Sequence, residues 1–225
     1  METKRQDKRQ EAYNRIKEFI LTYQIKPGLR LDHADLKEKI GVSTTPIREA
    51  LNRLTEEGYV SQIKNRGYFV SDLSPNELGD LYEIREALEL FAIRKTLREN
   101  RRIDETSRKG IKRIMDLYFK YAHEEPYRYR LHLDREFHVM LAKLSGNLIL
   151  SKTLNSIIEK MNYKREVVEL FPQRGKEASK EHYEIFKLLL EGEESKAVEL
   201  LQNHIRIAKE TLLNILKTRE EYMKR

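Results

Sequence analysis

Gly41-Val42-Ser43-Thr44-Thr45-Pro46-Ile47-Arg48-Glu49-Ala50-Leu51 decides how the first third of this chain folds. Upstream of it, Asp32 opens a short helix with Leu36 and Ile40 on its inner face, and Gly41 is the residue type that ends helices in a left-handed turn. Val42 and Ser43 complete a three-residue break, and the serine is of the capping type, its oxygen able to accept from free N–H groups of the next helix. Ile47, Ala50, Leu51 and Leu54 then recur at helical spacing on one face. Pro46 falls in the first turn, where a missing N–H is tolerated, and Gly58 closes the helix. Two short helices around a glycine-containing turn describe a helix-turn-helix, a unit whose second helix enters the major groove of DNA.

The outer face of that second helix offers Thr44, Thr45, Arg48 and Asn52, with Ser43 at its start. Hydroxyls and free helix N–H groups suit phosphates, whereas Arg and Asn can also read base edges. Upstream, Tyr13, Ile16, Phe19, Ile20 and Tyr23 predict a first helix over about residues 9–23, ended by Pro27-Gly28. Downstream, residues 59–63 and 67–71 are β-prone runs joined by Lys64-Asn65-Arg66. That is a hairpin with a basic tip, the form of a wing that reaches the DNA backbone or minor groove. The same spacing arises in helical proteins without a DNA partner, so geometry alone leaves both readings open.

Ser74, Pro75 and Glu77 supply the N-cap, first-turn proline and third-position acid of a capping box. They place a boundary near residue 73 and divide the chain into residues 1–73 and 74–225. Beyond it the period is helical throughout, and helices are predicted at about 75–99, 104–123, 127–144, 148–171, 174–191 and 194–222. The breaks fall at Asn100, Glu125-Pro126, Gly146-Asn147, Pro172 and Gly192. The fold class expected is mainly α. A winged helix-turn-helix of three helices plus a small β-hairpin wing precedes an all-α bundle of six to seven helices.

Composition narrows the function classes. With 225 residues, 39% hydrophobic and 36% charged, the chain reads as soluble, helical and rich in salt bridges. It has no Cys, which excludes disulfides, thiolate chemistry and zinc fingers. No apolar run approaches the roughly 18–20 residues of a membrane span, and the charged N-terminus has no apolar segment behind it. No membrane partner and no signal peptide are expected, and the expected location is the cytoplasm. A net charge of +7 and a pI near 9.3 permit an anionic partner. The excess is spread evenly, with 14 basic against 11 acidic residues in 1–73 and 30 against 26 beyond, so a DNA partner rests on pattern rather than on charge.

In the bundle the informative residues are polar ones on apolar stripes. Leu131-His132-Leu133-Asp134-Arg135-Glu136-Phe137-His138 puts Asp134 and His138 four residues apart on the face of Leu131 and Leu141. His182 shares a face with Ile185, Phe186 and Leu189, and His204 is centred among Leu200, Leu201, Ile207 and Ala208. Arg85 lies in the row of Leu78, Leu81, Leu88 and Ala92, and Arg165 in that of Leu154, Ile158, Met161 and Val168. A buried carboxylate must meet a cation, a metal or a dense set of donors. One carboxylate and three imidazoles make a natural set for a divalent transition metal, and facing bundle helices are where such sites are built. A lone His on an apolar stripe is more often a hydrogen-bonded core residue. His33, His123 and His132 lack comparable neighbours and read as surface or structural.

Two resemblances sharpen this. Ile25 to Leu31 with its Lys26-Pro27-Gly28, then Gly41 to Leu51, Leu54-Thr55-Glu56-Glu57-Gly58 and Asn65 to Val70 resemble the winged helix of GntR-family transcriptional regulators. The resemblance implies a homodimer gripping a short palindromic operator in double-stranded DNA. By position it implies contacts from Ser43, Thr45 and Arg48, with Arg66 and Gly67 at the wing tip. Thr44 stands where the family usually has Arg, which removes a guanine contact worth roughly 1–3 kcal/mol of discrimination, and His33 stands where it has an acid. Arg85 with Leu88-Glu89, Asp134 to His138, Gly146-Asn147, Glu181-His182, Gly192 and His204 resemble, in order and spacing, the FCD ligand-sensing domain of the FadR subfamily. In its metal-binding members the Asp and three His positions are the ligands, which implies Asp134, His138, His182 and His204 here. The resemblance also implies a small carboxylate effector at or beside the metal, for which Arg85 and Arg165 are candidate clamps.

The expected function is therefore a ligand-responsive transcriptional regulator, a repressor in the simplest scheme and not an enzyme. It would carry one divalent transition metal per chain, with zinc, nickel, manganese or iron all compatible with the donors. Two alternatives remain open. One is a metalloenzyme using the Asp/His site to activate water, for which no His-Glu-x-x-His motif is present; the other is a helical domain that only dimerises.

Overall fold

The computed structural model describes residues 2–22, 24–99, 103–121, 127–168 and 172–223. Side chains are described within those ranges except at 2–5, 127–128, 164–168, 172–173 and 219–223. Tyr23, Asn100, His123 and Glu125-Pro126 fall outside the described residues. The chain divides into two compact units, Met1–Leu73 and Ser74–Arg225.

In the first unit, α1 (Glu2–Leu21) packs on α3 (Thr44–Glu56), with α2 (His33–Ile40) beside them. Ala12, Ile16, Ile20, Ile47, Leu51 and Leu54 are at 0% exposure between these helices, and each of the Ile and Leu side chains contributes roughly 1.5–3 kcal/mol on burial. α1 begins seven residues before the predicted start. The apolar stripe marks only the packed part, and the Lys, Arg, Gln and Glu of residues 2–10 are good helix formers that carry it further. Asp32 caps α2 by accepting from the Ala34 N–H at 2.7 Å. Gly41 ends it at φ +78°, its N–H donating to the Lys37 carbonyl, a conformation that favours glycine.

The wing is a three-stranded antiparallel sheet of order β1-β3-β2, from β1 (Arg30–Leu31), β2 (Val60–Ile63) and β3 (Gly67–Val70). The predicted hairpin is its β2–β3 part, in register Val60 with Val70 and Ile63 with Gly67. The third strand adds to that hairpin. Two residues are too short to show alternation, yet Leu31 is buried and Arg30–Leu31 pair with Phe69 and Tyr68. Asn65 at φ +63° and Gly67 at φ +100° turn the chain at the wing tip.

The second unit contains six helices among the described residues: α4 (Pro75–Arg98), α5 (Glu105–Lys120), α6 (Tyr127–Leu144), α7 (Leu148–Val168), α8 (Pro172–Glu191) and α9 (Glu194–Met223). Ser74 caps α4 in a complete capping box, accepting from the Glu77 N–H while the Glu77 carboxylate accepts from the Ser74 N–H at 2.9 Å. α8 starts at Pro172 rather than 174, because proline is favoured in a first turn. One core runs through the bundle, built on Leu78, Tyr82, Ile93, Ile111, Phe137, Met161, Ile185, Leu201 and Leu212. α4 packs on α6, α7 and α9, and α8 packs on α9 and α5, so inward residues of α4, α6, α8 and α9 meet in the interior.

Candidate metal centre and nucleic-acid interface

Asp134 and His138 come from α6, His182 from α8 and His204 from α9, all buried. Their donor atoms close a ring. His138 Nε2 lies 3.3 Å from His204 Nε2, which lies 3.4 Å from His182 Nε2. His182 Nε2 lies 3.5 Å from Asp134 Oδ1, and that oxygen lies 3.7 Å from His138 Nε2. All four donors fall within 4.8 Å of one another. Two donors each about 2.1 Å from one ion stand about 3.0–3.6 Å apart at angles of 90–120°, so the ring has nearly the size one transition-metal ion needs.

The far sides of two imidazoles are held by carboxylates. His138 Nδ1 lies 2.6 Å from Glu89 Oε2, and Glu89 Oε1 accepts from Arg85 Nε at 2.6 Å. His204 Nδ1 lies 2.5 Å from Glu181 Oε2, and Arg174 donates to both oxygens of Glu181 at 2.8 Å, a bidentate pair. Burial alone would raise the Glu89 carboxyl, but the charges and hydrogen bonds of His138 and Arg85 hold it at about 2. Glu181 is likewise at about 2, its burial outweighed by His204 and Arg174. Ionised carboxylates only accept, so the proton of each imidazole sits on Nδ1. Burial, with help from His138, lowers His204 to about 4 despite Glu181, and burial lowers His182 well below the usual histidine range. With their Nδ1 sides turned to carboxylates, His138 and His204 face each other through Nε2 across 3.3 Å, an arrangement that a cation held between them would stabilise. A proton joins two donors, whereas a divalent ion joins all four.

His182 differs from the other two. Its Nε2 faces the ring, its plane stacks on Phe137 at 4.1 Å between centroids, and its Nδ1 has no hydrogen-bond partner. Arg85 is 1% exposed, as the row of Leu78 and Ala92 requires, and its Nη2 is also buried without a partner. The side chain of Arg165 lies outside the described residues. Glu89, Arg174 and Glu181 were not foreseen as members of the site. Glu89 sits one turn after Arg85, an ion-pair spacing visible in the sequence, and Arg174 and Glu181 are two turns apart on one face. His33 stands edge-on to Tyr68 and His132 is exposed beside Arg135, away from the ring.

On the first unit, Ser43, Thr44, Thr45, Arg48 and Asn52 are exposed at and along the start of α3, and Arg66 is exposed at the wing tip, with Gly67 half-buried. Ser43 stands at the N-cap without a side-chain cap bond, so the sequence-based cap is not made and the hydroxyl faces outward. Asn52 Oδ1 accepts from the Tyr68 hydroxyl at 2.6 Å, which ties the recognition helix to the wing. No described helix is long and apolar enough to cross a membrane.

The description "Bacterial regulatory proteins, gntR family" matches residues 8–70, and "FCD domain" matches residues 80–207. The Nta operon transcriptional regulator of Aminobacter aminovorans is 34% identical over 197 residues, covering 88% of this chain and 90% of that protein. The gluconate operon transcriptional repressor of Bacillus licheniformis is 27% identical, covering 78% and 68%. Among solved structures, a GntR transcriptional regulator from Rhodococcus sp. RHA1 aligns with a TM-score of 0.77 at 21% identity, covering 92% of this chain and 98% of that one. At that identity the likeness speaks for the fold.

Proposed function

The chain belongs to the GntR family of bacterial regulatory proteins, with an FCD domain in its second unit, and from that premise we propose that it is a metal-dependent sensor of a small carboxylate. It is a DNA-binding transcriptional regulator and not an enzyme; the proposal concerns what it senses and how. The observation that carries it is the closed ring of Asp134, His138, His182 and His204. These four would hold one divalent transition metal, zinc, nickel, manganese or iron, and the bound ion would supply a Lewis-acidic anchor for a carboxylate. Arg85, with its buried unpartnered Nη2, is suited to clamp that carboxylate, and Arg165 is a second candidate.

Two copies would bind a palindromic operator in double-stranded DNA in the cytoplasm, each through Ser43, Thr44, Thr45, Arg48 and Asn52, with Arg66 and Gly67 at the wing. A carboxylate that prefers one arrangement of the bundle shifts the population of DNA-competent dimers, and a differential affinity of about 1.4 kcal/mol shifts it tenfold. Release of DNA on binding, as in a repressor, is the simpler form, and one relative bears that name.

The test is elemental analysis of the chain purified without added metal, together with anisotropy on duplexes selected from a random pool. About one equivalent of metal is expected in the native chain and almost none in His204→Ala, with operator affinity of the unliganded protein unchanged. A native chain without metal, and without thermal stabilisation on adding zinc, nickel, manganese or iron, would reduce the ring to a polar core.

A further inference from the structure

The ring and its two arginine–carboxylate pairs differ in how far solvent reaches them. The side chains of Asp134, His138, His182 and His204 are 0–5% exposed, and Arg85 and Glu89 are 1% and 2% exposed. Arg174 and Glu181 are 14% and 20% exposed. Of the two pairs, Arg174–Glu181 on α8 is therefore the one nearer solvent.

The bonding there is redundant. Glu181 Oε2 serves two donors, Arg174 Nη2 at 2.8 Å and His204 Nδ1 at 2.5 Å. Arg174 Nη2 has a second acceptor, the His204 carbonyl, at 3.3 Å. Glu181 can give up the guanidinium and remain bonded to His204, and Arg174 can give up Glu181 while held by the α9 backbone. Glu89, sealed beside Arg85, has no such exposed side. A planar guanidinium already arranged as a fork toward one carboxylate accepts another in the same geometry.

We propose that Arg174 is an anion-receiving residue of the sensor site, handed from Glu181 to the carboxylate of the incoming ligand while Glu181 stays on His204. The inference rests on the carboxylate-sensing reading above. The ligand class is a small aliphatic carboxylate whose free oxygens can take both Nη atoms. The exchange also gives the ligand a contact that exists only in the bound state, on the helix that carries His182.

The test is calorimetric titration of acetate, 2-hydroxypropionate and succinate into the full chain, zinc-loaded and metal-free, with zinc affinity measured separately by chelator competition. Arg174→Gln is expected to weaken the best-binding probe about tenfold, the loss of one charge-assisted pair. Glu181→Gln keeps an acceptor for His204 and leaves the guanidinium uncommitted, and it is expected to tighten that probe severalfold. Zinc affinity, measured in each variant, separates any loosening of the metal centre from loss of the anion contact. Arg174→Lys, which keeps the charge without the fork, should fall between and guards against a folding defect in the glutamine variant. If the wild-type chain binds a probe and the Arg174 and Glu181 variants weaken together or leave binding unchanged, the pair is a static bridge and the proposal is overturned. If the wild-type chain binds none of the probes with or without zinc, carboxylate sensing itself falls, and this inference falls with it.

Discussion

The two units place their polar chemistry on opposite sides of their surfaces. Among the described residues, the buried polar and charged side chains, from Arg85 and Glu89 to His182 and His204, all belong to the second unit. The first unit has an apolar interior of Ile16, Ile20, Ile47, Leu51 and Leu54 and keeps Thr45, Arg48 and Arg66 outside. A surface that meets DNA can be altered without touching the core beneath it. An interior that senses a ligand cannot, because each member of the ring is also a packing element.

The sharpest way to break this contrast is Glu89→Ala. It leaves Arg85 and His138 buried without their acceptor and is expected to cost about 3–5 kcal/mol in urea unfolding of the metal-free chain. A loss below about 1 kcal/mol would show an interior as tolerant as the surface. Acid is the next largest lever. His204 titrates at about 4 in the folded chain, so its contribution is complete above the unfolded value near 6.5 and is lost as pH falls toward 4, on the order of 3 kcal/mol. His182, also depressed, acts in the same direction. Glu89 and Glu181, at about 2, add a further loss as pH falls below the unfolded carboxylate range. Melting of the metal-free chain at pH 7.5 and 5 should show the second unit losing stability and the first nearly unchanged; equal losses would contradict the assignment.

Arg48→Ala addresses the surface. Stability should stay within about 0.5 kcal/mol while discrimination among operator variants falls by about 1–3 kcal/mol in anisotropy titrations. The smallest effect expected is from Tyr68→Phe, which removes the bond to Asn52 at a cost of about 0.5–1.5 kcal/mol and should loosen base preference more than overall affinity. If selected operators are unchanged in Tyr68→Phe, the wing does not position Asn52.

The difference between the units also governs what the sequence reveals. In the first, Gly41, Pro46 and Gly58 punctuate short helices whose faces separate cleanly, so the helix-turn-helix follows from local rules. Arg30–Leu31 escaped because a two-residue strand exists through its partner Phe69–Tyr68, a contact distant in the chain. In the second, Asp134, His138, His182 and His204 interrupt apolar stripes and could be singled out one helix at a time. Their convergence depends on α6 being brought opposite α8 and α9 through α4 and α5, an arrangement that periodicity does not encode. Glu89 and Glu181 were visible beside Arg85 and His182, but only the rotation of α4 and α8 shows that they back two imidazoles.

The facing Nε2 atoms of His138 and His204 carry one more consequence. If the ring holds the metal proposed for it, the folded population depends on how much of that cation the cell supplies. Newly made chains short of metal would open more often and be degraded sooner, so the number of regulator molecules, as well as their state, would follow metal supply.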